Sequence, residues 1–150
     1  MTTVLREIGT IARALDSIAN VEFKQHQLAR GQYLYLVRIA EQPGIIAEQL
    51  SRQLKVDRAT VSRAVRRLVD QGLVERRADE LNQKIRRLYP TVAGREQAGL
   101  IERENNYSEG VALGGLTPKE QAELKRLLAR VAENVSQDWA KVKAGQRRDY

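Results

Sequence analysis

The chain has no cysteine and only one histidine among its 150 residues. Disulfides, thiolate nucleophiles and cysteine-based redox sensing are therefore excluded. A zinc site built from several histidines and carboxylates is not expected either, because His26 stands alone. No apolar run reaches the roughly eighteen residues that span a bilayer. The N-terminus lacks the charged, apolar and small-residue regions of a signal peptide, so a cytoplasmic protein without membrane contact is expected. No phosphate-cradling glycine loop and no nucleophile elbow occur, which leaves little machinery for an enzyme and no reason to expect a metal or cofactor. Aromatic residues are also scarce, at 5% against 30% charged. That balance suits thin helical layers that complete their burial against another chain.

What the chain does have is positive charge, 26 Lys and Arg against 19 Asp and Glu, for a net +7. Between Leu54 and Leu88 ten basic residues face five acidic ones, so most of the excess is concentrated in under a quarter of the chain. Within it, "VDRATVSRAVRRLVDQGLVERR" puts Arg58, Arg63, Arg66 and Arg67 on one predicted helix. Like charges three and four residues apart repel by a few tenths of a kcal/mol per pair. A polyanionic partner would offset that cost, either nucleic acid or an anionic membrane surface.

Periodicity organises the rest. Thr2 to about Asn20 carries Leu5, Ile8, Ala12, Leu15 and Ala19 at helical spacing. After a polar joint at Lys24 to Gln27, "LARGQYLYLVRIAEQPG" predicts a second helix stopped by Pro43 and Gly44. "IIAEQLSRQLKV" predicts a third helix, and Asp57 offers an N-cap to a fourth, making a helix-turn-helix. On that fourth helix, side chains turn by about 100° per residue. Val61, Val65 and Leu68 then face a core with Ala64 and Val69 at the edges, while Ala59, Ser62, Arg63, Arg66 and Asp70 face away. Gly72 ends the helix, and "LVERR" and "IRRLY" predict a hairpin whose tip, Glu80 to Lys84, projects as a wing. Thr91 caps another helix, "ALGGL" breaks it, and "LTPKE" opens a last one with Thr117, Pro118 and Glu120 as cap, first residue and capping-box partner. Leu124, Leu128, Val131, Val135, Trp139 and Val142 on that helix follow nearly a heptad seam.

A major groove about 12 Å wide accepts a helix, and an arginine meets a base edge there with two hydrogen bonds. Arg63 and Arg66 are the first candidates for base contact, Thr60 and Ser62 are adaptable, and Ala59 suits a thymine methyl. Arg58, Arg67 and Ser51 are expected at phosphates.

At this point "LARGQYLYLVRI", "AEQLSRQLKVDRATVSRAVRRLVDQGLVERR" and "LYPTVAGRE" resemble the multiple-antibiotic-resistance regulator (MarR) family of winged helix-turn-helix transcription factors. The resemblance covers nearly the whole chain. It implies a mainly α fold with a small β wing, flanked by N- and C-terminal dimerisation helices. It makes residues 1–150 one domain, with 1–29 and 91–143 as the dimerisation region, 30–90 as the DNA-binding lobe and 144–150 as a tail. A homodimer is implied, with Leu5, Ile8, Leu15, Leu124, Leu128, Val131, Val135 and Trp139 at the interface. Double-stranded DNA with a pseudo-palindromic operator is the implied partner, and repression the implied action. A small aromatic or anionic effector is implied as well, near His26, Tyr33, Tyr35 and Arg38. Packing is the competing role for the two tyrosines, and a surface joint for His26. At the wing, where the family carries Asp-Arg-Arg, this chain has Asn82, Gln83 and Lys84, followed by Arg86. The family's Asp-to-Arg brace is thus expected to be absent at Asn82, while Lys84 keeps a cation for the minor groove. Lys55 occupies a turn position often given to glycine. A different reading makes the winged helix an architectural or protein-interaction module that coats DNA without choosing sequences.

Overall fold

A computed structural model describes residues 3–29 and 31–150. Thr2, the expected start of the first helix, and Arg30, the expected start of the DNA-binding lobe, lie outside the described residues. The elements run α1 (Thr3–Lys24), α2 (Gln32–Glu41), α3 (Ala47–Leu54), α4 (Arg58–Asp70), β1 (Val74–Ala78), β2 (Arg86–Pro90), α5 (Val92–Ala112) and α6 (Pro118–Lys143). The fold is mainly α with one small antiparallel hairpin, as expected, and β1 pairs with β2 from Val74 opposite Pro90 to Ala78 opposite Arg86. The chain divides into two compact units, residues 1–108 and 109–150. None of the described helices is long and apolar enough to cross a membrane.

The core of the first unit is built where the apolar stripes converge. Val61, Val65 and Leu68 of α4, Leu50 of α3, and Leu36 and Ile39 of α2 are all buried. Burying a side chain of this size stabilises by about 1.5–3 kcal/mol, so α4 is held by its apolar face and its other face is left to solvent. Asp57 caps α4 as expected. At the opposite end, the Gly72 amide donates to the Val69 carbonyl (3.0 Å) and the Leu73 amide to the Leu68 carbonyl (2.9 Å). Gly72 takes φ +74 there, the left-handed conformation that such a helix end requires.

Three boundaries differ from the sequence expectations, each for a packing reason. First, α1 continues through Lys24, because Ala19 and Phe23 extend its apolar stripe and Phe23 packs on Tyr33 with ring centroids 5.2 Å apart. Second, α2 starts at Gln32 rather than Leu28. Leu28 is buried from an irregular segment, and Gly31 turns the chain into the helix at φ +78. Third, α3 starts at Ala47, because Ile45 is taken by an antiparallel bridge to Leu88 of β2. The Gly44 amide donates to the Leu88 carbonyl (2.8 Å), and the Leu88 amide donates to the Ile45 carbonyl (2.9 Å). Lys55, which ends α3, takes φ +57, so the position has the glycine-like backbone without the glycine.

The start of α5 docks on the α4–β1 joint. The Thr91 amide donates to the Leu73 carbonyl (3.0 Å) and its hydroxyl donates to the Gly72 carbonyl (2.6 Å). The same hydroxyl accepts from the Gly94 amide (3.0 Å), which makes Thr91 the expected cap of α5. In the second unit, α6 opens with the expected capping box. Thr117 Oγ1 accepts from the Glu120 amide at 3.1 Å, and Glu120 Oε1 accepts from the Thr117 amide at 2.9 Å. Those bonds to Thr117 hold the Glu120 carboxyl below the ordinary carboxylate range. None of the α6 side chains is buried.

Candidate nucleic-acid interface

The first turn of α4 is organised by its cap. Asp57 Oδ1 accepts from the Thr60 amide (2.9 Å), and its Oδ2 accepts from the Thr60 hydroxyl (2.8 Å). Those two bonds, first the backbone one, hold the Asp57 carboxyl below its ordinary range. Thr60 Oγ1 in turn accepts from Nη2 of Arg63 at 3.1 Å. The anion at the helix start therefore orients a guanidinium one turn further on, and also complements the positive end of the helix dipole. Arg58, Ala59, Ser62, Arg63, Arg66 and Arg67 are exposed, while Thr60 is half-buried. Arg58, Arg63, Arg66 and Arg67 make no direct ion pair among the described residues, and Arg63 interacts with the charge of Asp57.

Ser51 differs from expectation. It is buried, and its hydroxyl donates to the Val56 carbonyl across the α3–α4 turn. The phosphate contact is replaced by a structural role: the hydroxyl satisfies a carbonyl that the turn leaves without a helical partner.

The wing carries the brace that Asn82 cannot supply. Asp79, at the end of β1, accepts through Oδ1 from Nε of Arg87 (2.6 Å). Its Oδ2 accepts from the amides of Leu81 (3.1 Å) and Asn82 (3.0 Å). The hydrogen bond from Arg87, and secondarily those amides, keep the Asp79 carboxyl below its ordinary range. Nη1 of Arg87 donates onward to the Gly44 carbonyl at 2.9 Å, which ties the hairpin to the α2–α3 joint. Asn82 contributes locally, its Oδ1 accepting from the Lys84 amide (3.1 Å). Asn82 thus makes no brace to an arginine, as expected, and a different pair, Asp79 with Arg87, holds the wing. In the sequence Arg87 reads as one more cation in a basic run, whereas pairing across the hairpin brings it to Asp79. Asn82, Gln83, Lys84 and Arg86 are all exposed at or beside the tip. Arg77 stacks over the Tyr89 ring at 4.3 Å from its centroid and pairs with Glu75.

The remaining sequence-predicted residues lie elsewhere. Tyr33 and Tyr35 are buried, Arg38 is exposed and His26 is half-buried. The Tyr33 hydroxyl donates to Asp16 Oδ1 (2.7 Å), and burial together with that carboxylate pushes its pKa up. Burial, and then the charge of Asp57, also raises that of Tyr35. A cleft of about 330 Å³ opens between α2 and α5, with Val37, Glu41, Arg95, Ala98 and Glu102 in its lining, and none of those four residues lines it. On α1, Leu5 and Leu15 are exposed and Ile8 is half-buried. On α6, Leu124, Leu128 and Val135 are exposed, with Val131 and Trp139 half-buried. Among the described residues no group of three or more His, Cys, Asp or Glu could hold a metal ion.

A helix-turn-helix whose second helix exposes arginines, followed by a braced basic hairpin, defines the winged helix-turn-helix class. The MarR family model matches residues 28–85. The chain is 52% identical over 150 residues to the uncharacterized HTH-type transcriptional regulator YybA of Bacillus subtilis (strain 168), covering 100% of both. The chain belongs to the MarR family of transcriptional regulators. Among solved structures, a putative MarR family transcriptional regulator from Listeria monocytogenes, complexed with 26mer DNA, matches with a TM-score of 0.96 and 49% identity over 100% of each chain. The transcriptional regulator SlyA matches with a TM-score of 0.90 and 52% identity, over 94% of this chain and 99% of that one.

Proposed function

We propose that this regulator is a cytoplasmic repressor that binds double-stranded DNA sequence-specifically, as a homodimer on a pseudo-palindromic operator. The observation that carries the reading is the exposed arginine-bearing face of α4 beside a braced wing. In this reading Arg63 and Arg66 meet base edges, Thr60 and Ser62 adapt to them, and Ala59 lies against a thymine methyl. Arg58 and Arg67 hold phosphates. Lys84 enters the minor groove, flanked by Asn82, Gln83 and Arg86. The Listeria relative, crystallised with DNA at 49% identity, supports the same partner here.

A second copy is supported by the apolar stripes of α1 and α6. Leu5 is 58% exposed and Val135 55%, and apolar surface on this scale gains by association. Release by a small ligand belongs to the same proposal. The cleft between α2 and α5 has room for one, and its Glu41 and Glu102 against a single Arg95 suit an uncharged or cationic amphiphile better than an aromatic anion.

Arg63→Ala is expected to lose about 1–3 kcal/mol at one base position and to relax specificity there, whereas Arg67→Ala weakens binding to all sequences alike. Competition titrations on selected and random duplexes measure both. Equal losses on the two duplexes for both variants would overturn the assignments. Binding without any preferred sequence would instead favour a module that coats DNA.

A further inference from the structure

Three glutamines tie the far end of α4 to the segment joining α1 and α2. Gln71 is the C-cap of α4, and its Nε2 donates to the Gln27 carbonyl at 2.9 Å. Its Oε1 accepts from Nε2 of Gln32 at 3.4 Å, and Oε1 of Gln32 accepts from the Ala29 amide at 2.6 Å. Gln32 is only 3% exposed. A buried amide in the first turn of a helix is stable only when its groups are paired, so its partners are part of its function in the fold. The same segment is fastened on its other side to α1. Asn20 Oδ1 accepts from the Gly31 amide (3.1 Å), Asn20 Nδ2 donates to Asp16 (3.3 Å), and Asp16 accepts from the Tyr33 hydroxyl (2.7 Å). Polar contacts thus run from the middle of α1 to the end of α4.

The apolar stripe of α4 holds the helix to the core, but apolar burial by itself is non-directional. Hydrogen bonds to both side-chain groups of Gln71 are directional and fix the angle. We propose that Gln71 is a positioning residue for DNA recognition: through Gln32 and the Gln27 carbonyl it makes the orientation of the cationic helix follow α1. This rests on the dimer reading above, in which α1 belongs to the interface, so that the latch sets the separation of the two recognition helices.

The test uses the full chain and a library of inverted repeats, built from the half-site that the parent protein selects, with spacers varied one base pair at a time. Gln71→Met keeps the length of the side chain and removes its hydrogen bonds. Gln71 is exposed, so the variant should fold, but it leaves Nε2 of the buried Gln32 without its partner and is expected to melt up to about 10 °C below the parent. It is expected to bind the preferred spacer about tenfold more weakly, while its affinity for random DNA stays unchanged and its discrimination against neighbouring spacers falls to within about threefold. A merely structural role would lower the affinities for every spacer and for random DNA by the same factor. If the parent prefers one spacer and Gln71→Met shares that preference undiminished, the positioning role fails alone. If the parent prefers no spacer, the role fails together with the dimer reading.

Discussion

Gly94 sits where α5 meets the α4–β1 joint, and replacing it with alanine is a sharp test of how the wing and its flanking helix are held. A Cβ added there would lie 1.9 Å from the Leu73 carbonyl oxygen and 3.0 Å from its carbonyl carbon. Both obstacles are backbone, so no flexible side chain can swing aside. Restoring even a tight contact requires a relative shift of roughly 1 Å between the start of α5 and the joint, in an interior packed without slack. The Leu73 carbonyl also accepts from the Thr91 amide, and the neighbouring Gly72 carbonyl from the Thr91 hydroxyl, so the shift loosens two hydrogen bonds as well. Overpacking costs about 1–3 kcal/mol and each weakened bond about 1 kcal/mol. Gly94→Ala is therefore expected to destabilise by about 4 kcal/mol, a large part of the 5–15 kcal/mol typical of a folded protein. Urea unfolding at fixed protein concentration measures it. Gly99 on the same helix has nothing within 4 Å of its added Cβ. Gly99→Ala is the control, expected to be neutral or to stabilise by up to about 1 kcal/mol through helix propensity. If Gly94→Ala unfolds within about 1 kcal/mol of the parent, the docking of α5 on the Leu73 carbonyl is not as described.

Two further outcomes follow from the same geometry. Leu68→Ala empties a fully buried site under α4 and should cost about 2–5 kcal/mol in urea unfolding; a loss below about 1 kcal/mol would mean that the apolar grip on α4 lies elsewhere. The Asp79 carboxyl titrates below its ordinary value in the folded state, so its contribution is complete above the unfolded-state pKa of about 4 and is lost as pH falls through the lower folded value. Asp79→Asn should accordingly show a flatter acid limb in its stability–pH profile than the parent, and superimposable limbs would argue against the brace to Arg87.

The parts of this molecule governed by local chemistry were readable directly. Asp57, Thr91 and Thr117 announce helix starts because a side-chain oxygen beside free amides needs only its own few neighbours. The stripe of Val61, Val65 and Leu68 announces the exposed arginines by elimination, because a helix has only two faces. What the sequence hid depends on partners far apart along the chain. Ile45 reads as the start of a helix until Leu88, from the wing, claims it as a bridge partner. Arg87 reads as one more cation in a basic run until hairpin pairing sets it against Asp79. Ser51 reads as a surface hydroxyl until the tight α3–α4 turn brings the Val56 carbonyl onto it. Gln32 and Gln71, 39 positions apart, carry no pattern at all that would join them.

The central claim, that two copies of the chain offer their arginine-bearing helices to successive turns of one duplex, is tested most directly by selecting bound fragments from random DNA and footprinting the winners. An enriched inverted repeat is predicted, with half-site centres about one helical turn, roughly 34 Å, apart and protection on one face of the duplex. Fragments with no shared half-site, bound equally well by a single chain, would contradict it.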